Sequence, residues 1–495
     1  MTLHPPRNRF LRFTIYLVCF VLILLALDLL WVQSNRTIHP GYETTRIVVP
    51  TLDDGSIDYL AAVETYFSRG ITAENNAAPL LLEALGRAAL PTTQPPDGIT
   101  DRLGMPHLPE QGDYFVTDEA FTKKPAEPGD PDLADNKHAY QWAKELSPQT
   151  LDWLKANDKP LAKIHEAVQR PRLWIPFNGG NRPQIIVSVQ IRHVWLLKAA
   201  GSALLTRASA RIASGELDGA RQDLSDAHRL ARLMGQGPTL IERAVSMNME
   251  SAACGVDRAA AASGKLSLNQ LREFSRELAT MPELAEPSEC ANVSERYMFL
   301  DALQFLARSN PAEAAQVWSG ITSQSMASPW LYYFLPIPYE KTMKAGNHWH
   351  DGYLAAVRQP TYALRHAAFV TCEQTATDLT QHSRFGPLSP QWALGLFMPA
   401  LNRIEQRWET SRAESRLTGV AVALAAYKSD RGVYPPTLSD LSPAFLSELP
   451  LDNFTDRPLI YSRTDHGYTL YSAGPNMLDD GGSTAAGDDV VASLK

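Results

Sequence analysis

Apolar residues recur along most of this chain at intervals of three and four, the spacing that lines one face of an α-helix. The pattern is clearest over residues 194–212 and 217–234, two amphipathic runs parted by Ala213-Ser214-Gly215-Glu216 that predict an antiparallel helical hairpin. Helix starts are marked as well: Ser147 caps a run that opens on Pro148 and leads into Leu151, Leu154 and Leu161. Ser267 and Gln270 form a capping-box pair with Leu266 and Leu271 placed as a hydrophobic staple, and Asn310-Pro311-Ala312-Glu313 repeats that logic. Shorter helices are expected over 59–67 and 76–86, the second closing near Gly86. A long one is expected over 394–427, apolar at Leu401, Ile404, Trp408, Leu417, Val420 and Leu424. Beyond it, Leu459-Ile460-Tyr461 and Tyr468-Thr469-Leu470-Tyr471-Ser472 are strand-like.

Three stretches stand apart from the regular helical runs. Residues 35–58 are polar and β-branched and suit a short tether. Residues 91–135 carry many prolines and acids with few apolar anchors, the mark of a long irregular excursion, poorly ordered or wrapped over the surface. Residues 311–395 are rich in aromatics, including Trp318, Trp330, Tyr332, Tyr333, Phe334, Tyr339 and Trp349, with Pro336 and Pro338 breaking any helix there. Such rings serve either a protein contact or a core, and burial preference favours the core.

The N-terminus points to a membrane. Arg7, Arg9 and Arg12 precede residues 13–32, twenty mostly apolar positions, which is about the length that crosses a hydrocarbon core as a helix. Arg36 alone follows closely, so the positive-inside rule leaves the N-terminus cytoplasmic and the bulk extracytoplasmic. Asp28-Leu29-Leu30-Trp31-Val32-Gln33-Ser34 offers no small-x-small cleavage site, which favours a single uncleaved anchor over a cleaved signal peptide.

Composition narrows the class. With 495 residues, 44% hydrophobic and 20% charged, the chain has the makings of a large folded core. Its net charge of −8, with basic residues dispersed along the chain, argues against nucleic acid as a partner. Cys19 lies in the apolar run, leaving Cys254, Cys290 and Cys372; a Cys254–Cys290 disulfide is possible on compartment grounds, but buried free thiols are the expectation. No catalytic elbow, zinc-protease helix, phosphate-cradling glycine loop or dinucleotide fingerprint occurs, so no catalytic residues are assigned. His348-Trp349-His350-Asp351 is a compact set of potential metal ligands, but two imidazoles at i and i+2 share a face only on a strand, and an exposed loop is expected. Arg192-His193 and Glu295-Arg296 with Asp301 read as solvated or paired helix-face charges. Asn35, Asn292 and Asn453 each open a glycosylation sequon.

The last hundred residues hold the candidate metal ligands. Asn476, Asp479, Asp480, Asp488 and Asp489 supply hard oxygens, and the glycines at 474, 481, 482 and 487 let the backbone turn around an ion; the set suits Ca²⁺. A frayed acidic terminus is the competing reading. Residues 416–490, with Tyr427, Gly432-x-Tyr434-Pro435, Pro450-Leu451-Asp452, the two strand-like runs and Asp479-Asp480-Gly481-Gly482, resemble the C-terminal module of the major pseudopilin of type II secretion systems. That resemblance implies an extracytoplasmic, noncatalytic α+β module whose glycine-rich loop binds calcium through Ser472, Asn476, Asp479, Asp489 and nearby carbonyls. Asn476 stands where the family usually has an aspartate. Arg12-Phe13-Thr14-Ile15 lacks the family's processing glycine and glutamate, so the chain is not expected to assemble as a pseudopilin. The anchor together with Asn76-Ala77-Ala78, Gly237-Pro238-Thr239-Leu240-Ile241 and the terminal motifs is similar to large membrane-anchored proteins of Planctomycetes, which carry no activity to transfer.

The expected organisation is mainly α: a cytoplasmic tail and transmembrane anchor (1–34); tether, short helices and Pro-rich loop (35–135); a mainly helical, hairpin-built extracytoplasmic domain (136–395); and a long helix with the small pseudopilin-like α+β module (396–495). The expected role is scaffolding or protein interaction with other envelope proteins, with a link to type II secretion. The alternatives are an extracytoplasmic hydrolase with its site in the helical domain, or a peptide-binding, repeat-like module. The latter rests on Ala213-x-Gly215-x4-Ala220, which resembles a tetratricopeptide-repeat junction but shows no recurring period.

Overall fold

The computed structural model describes residues 20, 36–95, 97–122, 146–181, 185–310, 312–313, 338–381, 390–483 and 487–494. Apart from Phe20, the expected span over 13–32 lies outside these, as do Trp318, Trp330, Tyr332, Tyr333 and Phe334. Among the described residues no helix is long and apolar enough to cross a membrane. The architecture is mainly helical with a small three-stranded antiparallel sheet.

The principal helices are α1 (Tyr59–Phe67), α2 (Ala78–Leu85), α3 (Pro148–Ala156), α4 (Asp158–Ala167), α5 (His193–Ser214), α6 (Leu217–Met234), α7 (Leu240–Ala262), α8 (Leu268–Thr280), α9 (Arg296–Arg308), α10 (Tyr339–Val357), α11 (Tyr362–Gln381) and α12 (Pro390–Arg431). The expected hairpin is α5–α6, and its turn works because Gly215 takes a φ of 85° that a Cβ would disfavour. Caps fix the entries. Ser147 accepts from the Thr150 amide at 3.1 Å to start α3, and Ser267 and Gln270 exchange both capping-box bonds at the head of α8. Thr239 and Glu242 do the same for α7, a box that is present in the sequence and easily passed over behind Gly237-Pro238.

Apolar side chains gather into three main cores. The first joins α2–α8 through residues such as Leu82, Leu161, Leu197, Leu204, Leu230 and Phe274. A second, around Tyr59, Phe299, Leu303, Tyr339, Trp349 and Tyr353, unites α1, α9 and α10, so Tyr339 and Trp349 are core residues. The third belongs to the C-terminal module: Leu417, Leu424, Tyr434, Phe454, Leu470 and Val490. Helix α12 contributes to all of them, with Val422 in the first, Leu401 in the second and Leu417 in the third. Each fully buried leucine of this kind adds about 1.5–3 kcal/mol of burial free energy, so α12 fastens the module to the body along its length. The sheet runs β1 (Ile460–Arg463), β2 (Tyr468–Ser472), β3 (Val490–Val491), with Ile460 opposite Tyr471 and Ser472 opposite Val490.

Two irregular stretches are docked. The expected tether packs on the body: the Gln304 amide brackets the Ile57 backbone at 3.0 and 2.9 Å, Asn347 donates to the Glu43 and Thr44 carbonyls, and Arg46 pairs with Asp351. Side-chain amides here stand in for the strand partner that 36–58 lacks. Residues 91–95 and 97–122 wrap the surface with buried anchors at Ile99, Met105, Leu108 and Phe115, and the Trp153 indole donates to the Val116 carbonyl at 2.7 Å. The remainder of that excursion, 123–135, lies outside the described residues.

Candidate functional site

The acidic loop follows β2 and returns into β3, so strand pairing holds both its ends. Its polar groups are spent mostly on the loop itself. Asp479 accepts from the Tyr471 hydroxyl and the Gly481 amide, both at 2.9 Å. Asn476 donates from its side chain to Asp480 and from its backbone to Asp488, each at 2.9 Å. Asp489 accepts from the Gly482 amide at 2.8 Å, while its buried Oδ1 has no partner among the described residues. Burial, then Asp479 and Asp489, push the Tyr471 phenol up to about 12.

Ser472 is turned elsewhere. Fully buried, it donates to Asp452 at 2.8 Å, and Asp452 also accepts from the amides of Phe454 and Ala473. Of the six expected ligands, five therefore edge the loop and Ser472 serves the Pro450-Leu451-Asp452 bend. Among the described residues no three of His, Cys, Asp or Glu converge as a metal-holding group. The donor chemistry is that of calcium: the buried Asp489 Oδ1 has no partner among the described residues, and Asn476 links Asp480 to Asp488 by hydrogen bonds.

A denser set of charges lies in the body. His228 of α6 is wedged between two carboxylates of α7: Nδ1 stands 2.7 Å from Glu250 and Nε2 2.6 Å from Asp257, with all three side chains almost wholly enclosed. Arg232, one turn along from His228, adds bonds of 2.7 and 3.2 Å to Glu250, and Ser415 of α12 donates to the same carboxylate at 2.9 Å. Burial opposes charging of His228, yet Glu250 and Asp257 outweigh it and hold the imidazolium up to about 10. Burial likewise opposes Glu250, but His228 and Arg232 keep it ionised, well below the usual carboxylate range. Asp257 has fewer compensating partners, and burial raises it. Sequence reasoning passed over this network. The available signal was the spacing: Glu250, Cys254 and Asp257 stand at i, i+4 and i+7 on one face of α7, whose second half is rich in alanine.

The arrangement does not suit nucleophilic catalysis. A serine or cysteine nucleophile needs the imidazole as its base, whereas here Glu250 stands between Ser415 and His228 and both ring nitrogens face carboxylates. Burial raises the Cys254 thiol well above its ordinary range, which leaves it inert. What the network does is join α6, α7 and α12. A parallel joint serves the module: buried Glu409 of α12 receives Arg365, Arg412 and the Asn453 amide, the last at 2.8 Å.

The remaining sequence candidates resolve individually. His348-Trp349-His350-Asp351 lies within α10, not in an exposed loop: His350 is buried and bonded to the Gly346 carbonyl, and burial, then Arg296, lowers its imidazole to about 3. His193 pairs with Glu242 at 3.2 Å inside the protein, and Arg296 is buried against Asp351, so of the solvated and paired alternatives the paired one holds for both, in the interior. Burial pushes the Glu295 carboxyl up to about 7 while it accepts from the Leu240 amide. Cys254 and Cys290 are buried free thiols. Asn453 is enclosed with its amide committed to Glu409, which removes that sequon from the folded surface.

Beside the Arg232–Ser415 end of the network, a cleft of about 300 Å³ opens between α8, α12 and the segment 446–450. Leu278, Met281, Leu446 and Pro450 line it, with Glu283 and Arg416 among the charged lining residues. No family model, curated protein or solved structure matches the chain.

Proposed function

We propose that this chain is a single-span, membrane-anchored scaffold of the bacterial envelope. Its periplasmic helical body and pseudopilin-like module, fastened together by α12, present one composite surface to other envelope proteins. The observation that carries the reading is the cleft at their junction: apolar side chains from Leu278 to Pro450 among charged neighbours form the kind of apolar patch with polar surroundings that receives a partner segment. A link to type II secretion rests on the resemblance of residues 416–490 alone. Calcium at the acidic loop belongs to the same proposal, supported by the hard oxygen donors around Asp479 and by the unpartnered Asp489 Oδ1.

Affinity capture of the full chain from mild detergent tests the scaffold. Wild type should recover envelope components, and Ala279→Arg, which places a long cation in the cleft from the exposed last turn of α8, should lose them without a change in melting temperature. Recovery of no envelope protein, or equal recovery by the variant, would overturn the reading. For calcium the full chain is melted with the ion and with chelator, and identical melting temperatures would reduce the loop to solvated charge.

A further inference from the structure

A second cavity, of about 470 Å³, lies on the side of the body where α1, the 170–174 segment, the start of α7 and the short helix Pro287–Cys290 meet. Its lining includes three guanidinium groups, Arg69, Arg172 and Arg243, against the single carboxylate of Glu289. Arg243 is only 1% exposed, and its Nε and Nη1 have no hydrogen-bond partner among the described residues. Its Nη2 stands 3.8 Å from Glu289, too far for a hydrogen bond. A buried guanidinium with idle donors costs stability unless something completes it.

The frame around these arginines is rigid. Asn76 receives the Trp174 amide at 3.0 Å and returns a bond to the Trp174 carbonyl, and its backbone bridges Arg172, so Asn76-Ala77-Ala78 fixes the strip that carries Arg172. The Gln236 side chain binds the Leu173 amide and the Pro171 carbonyl, fixing that strip from the opposite side. Gly237-Pro238-Thr239 opens α7 and brings Arg243 into its first turn. A Cβ at Gly237 would lie 2.2 Å from the Glu242 carboxyl that closes the capping box, which is why the position takes glycine. Two sequence motifs with no place in the scaffold reading thus adjoin the segments that line one cavity. Arg69 lies over the Tyr66 ring at 4.6 Å, and Phe67 and Leu173 add apolar surface.

We propose that this cavity binds a small ligand bearing a carboxylate or phosphate group on an aromatic or apolar body. Arg243, Arg172 and Arg69 grip the oxyanion, because guanidinium forks match the planar or tetrahedral oxygens of such groups. Tyr66, Phe67 and Leu173 receive the body.

Titration calorimetry on the full chain in mild detergent, with phenyl phosphate and with benzoate as probes, tests this. Saturable binding of at least one probe is expected, and the tighter of the two tells phosphate from carboxylate. Arg243→Gln and Arg172→Gln should each weaken it about ten- to a hundredfold. Arg172 is exposed, so its variant decides the matter if loss of Arg243 prevents folding. No saturable binding of either probe up to millimolar concentration, or binding that Arg172→Gln leaves unchanged, would overturn the proposal. Neither outcome bears on partner capture at the α8 cleft.

Discussion

Glu250 and Asp257 in the body, and Asp479 and Asp480 in the terminal loop, are carboxylates gathered by opposite means. The first pair, 1% and 0% exposed, come from two turns of one helix and close on a cation, His228, with Arg232 behind it. The second pair are sequence neighbours, reach solvent, and are met by a tyrosine hydroxyl, backbone amides and the Asn476 side chain. Enclosure makes the difference. A carboxylate removed from water must find a counter-charge, whereas one at the surface is served by N–H donors and water at little cost. Closeness in sequence therefore made the acidic loop legible, whereas separation by seven residues hid Glu250 and Asp257 from the same reading.

The sharpest way to break this contrast is His228→Ala. Removing the cation leaves two carboxylates enclosed, and the expected loss is about 3–5 kcal/mol, read as a lower urea midpoint at unchanged slope. His228→Ala combined with Asp257→Ala should recover part of it, because the uncompensated charge goes too. The wild-type pH profile carries the same signature. His228 is raised from an ordinary 6.5 to about 10, so its stabilisation is complete below about pH 6.5 and is lost as pH climbs toward 10. Glu250 is depressed, so its share is present above its ordinary 4.5 and disappears only in acid. Asp257, raised by burial, runs the other way and weakens the effect as pH rises above its ordinary 3.8. Stability that rises steadily from pH 7 to 10 would contradict the paired arrangement.

A smaller loss is expected at the joint between the two regions. Asn453→Ala removes two bonds to Glu409, at 3.0 Å to its carbonyl and 2.8 Å to its carboxylate, and should cost about 1–3 kcal/mol. Arg365 and Arg412 still hold the Glu409 charge, so the body should keep its protection from hydrogen exchange while amides in β1 and β2 exchange faster. Equal acceleration in α5–α7 would mean that the module and the body open as one unit.

These results bear on how much of the molecule was legible in its residues. Periodicity and caps found the α5–α6 hairpin, the starts of α3 and α8, the long α12 and the first two strands, because those signals are local. The two-residue β3 is too short to carry a period and owes its existence to pairing with Tyr471 and Ser472. The docking of 36–58 was hidden for a different reason: Gln304 lies 247 residues from Ile57 and Asn347 lies 304 from Glu43, and nothing nearby in sequence announces them. The loop ligands were legible as residue types but not as geometry. Ser472 looks like any other loop oxygen until Asp452, twenty residues earlier, is seen to claim it.

The smallest effect belongs to the loop itself. Asp479→Asn keeps an oxygen that can accept from the Tyr471 hydroxyl and the Gly481 amide, so without calcium it should cost less than about 1 kcal/mol. Two readouts make so slight a change informative. Asp479 opposes ionisation of the Tyr471 phenol, and its neutral replacement should bring that phenol down from about 12 in a spectrophotometric titration. If the loop takes calcium through this carboxylate, any rise in melting temperature on adding the ion should vanish in the variant while stability in chelator scarcely moves. A loss of several kcal/mol in chelator would instead place Asp479 with Glu250, as a charge the fold depends on, and would erase the distinction between the two clusters.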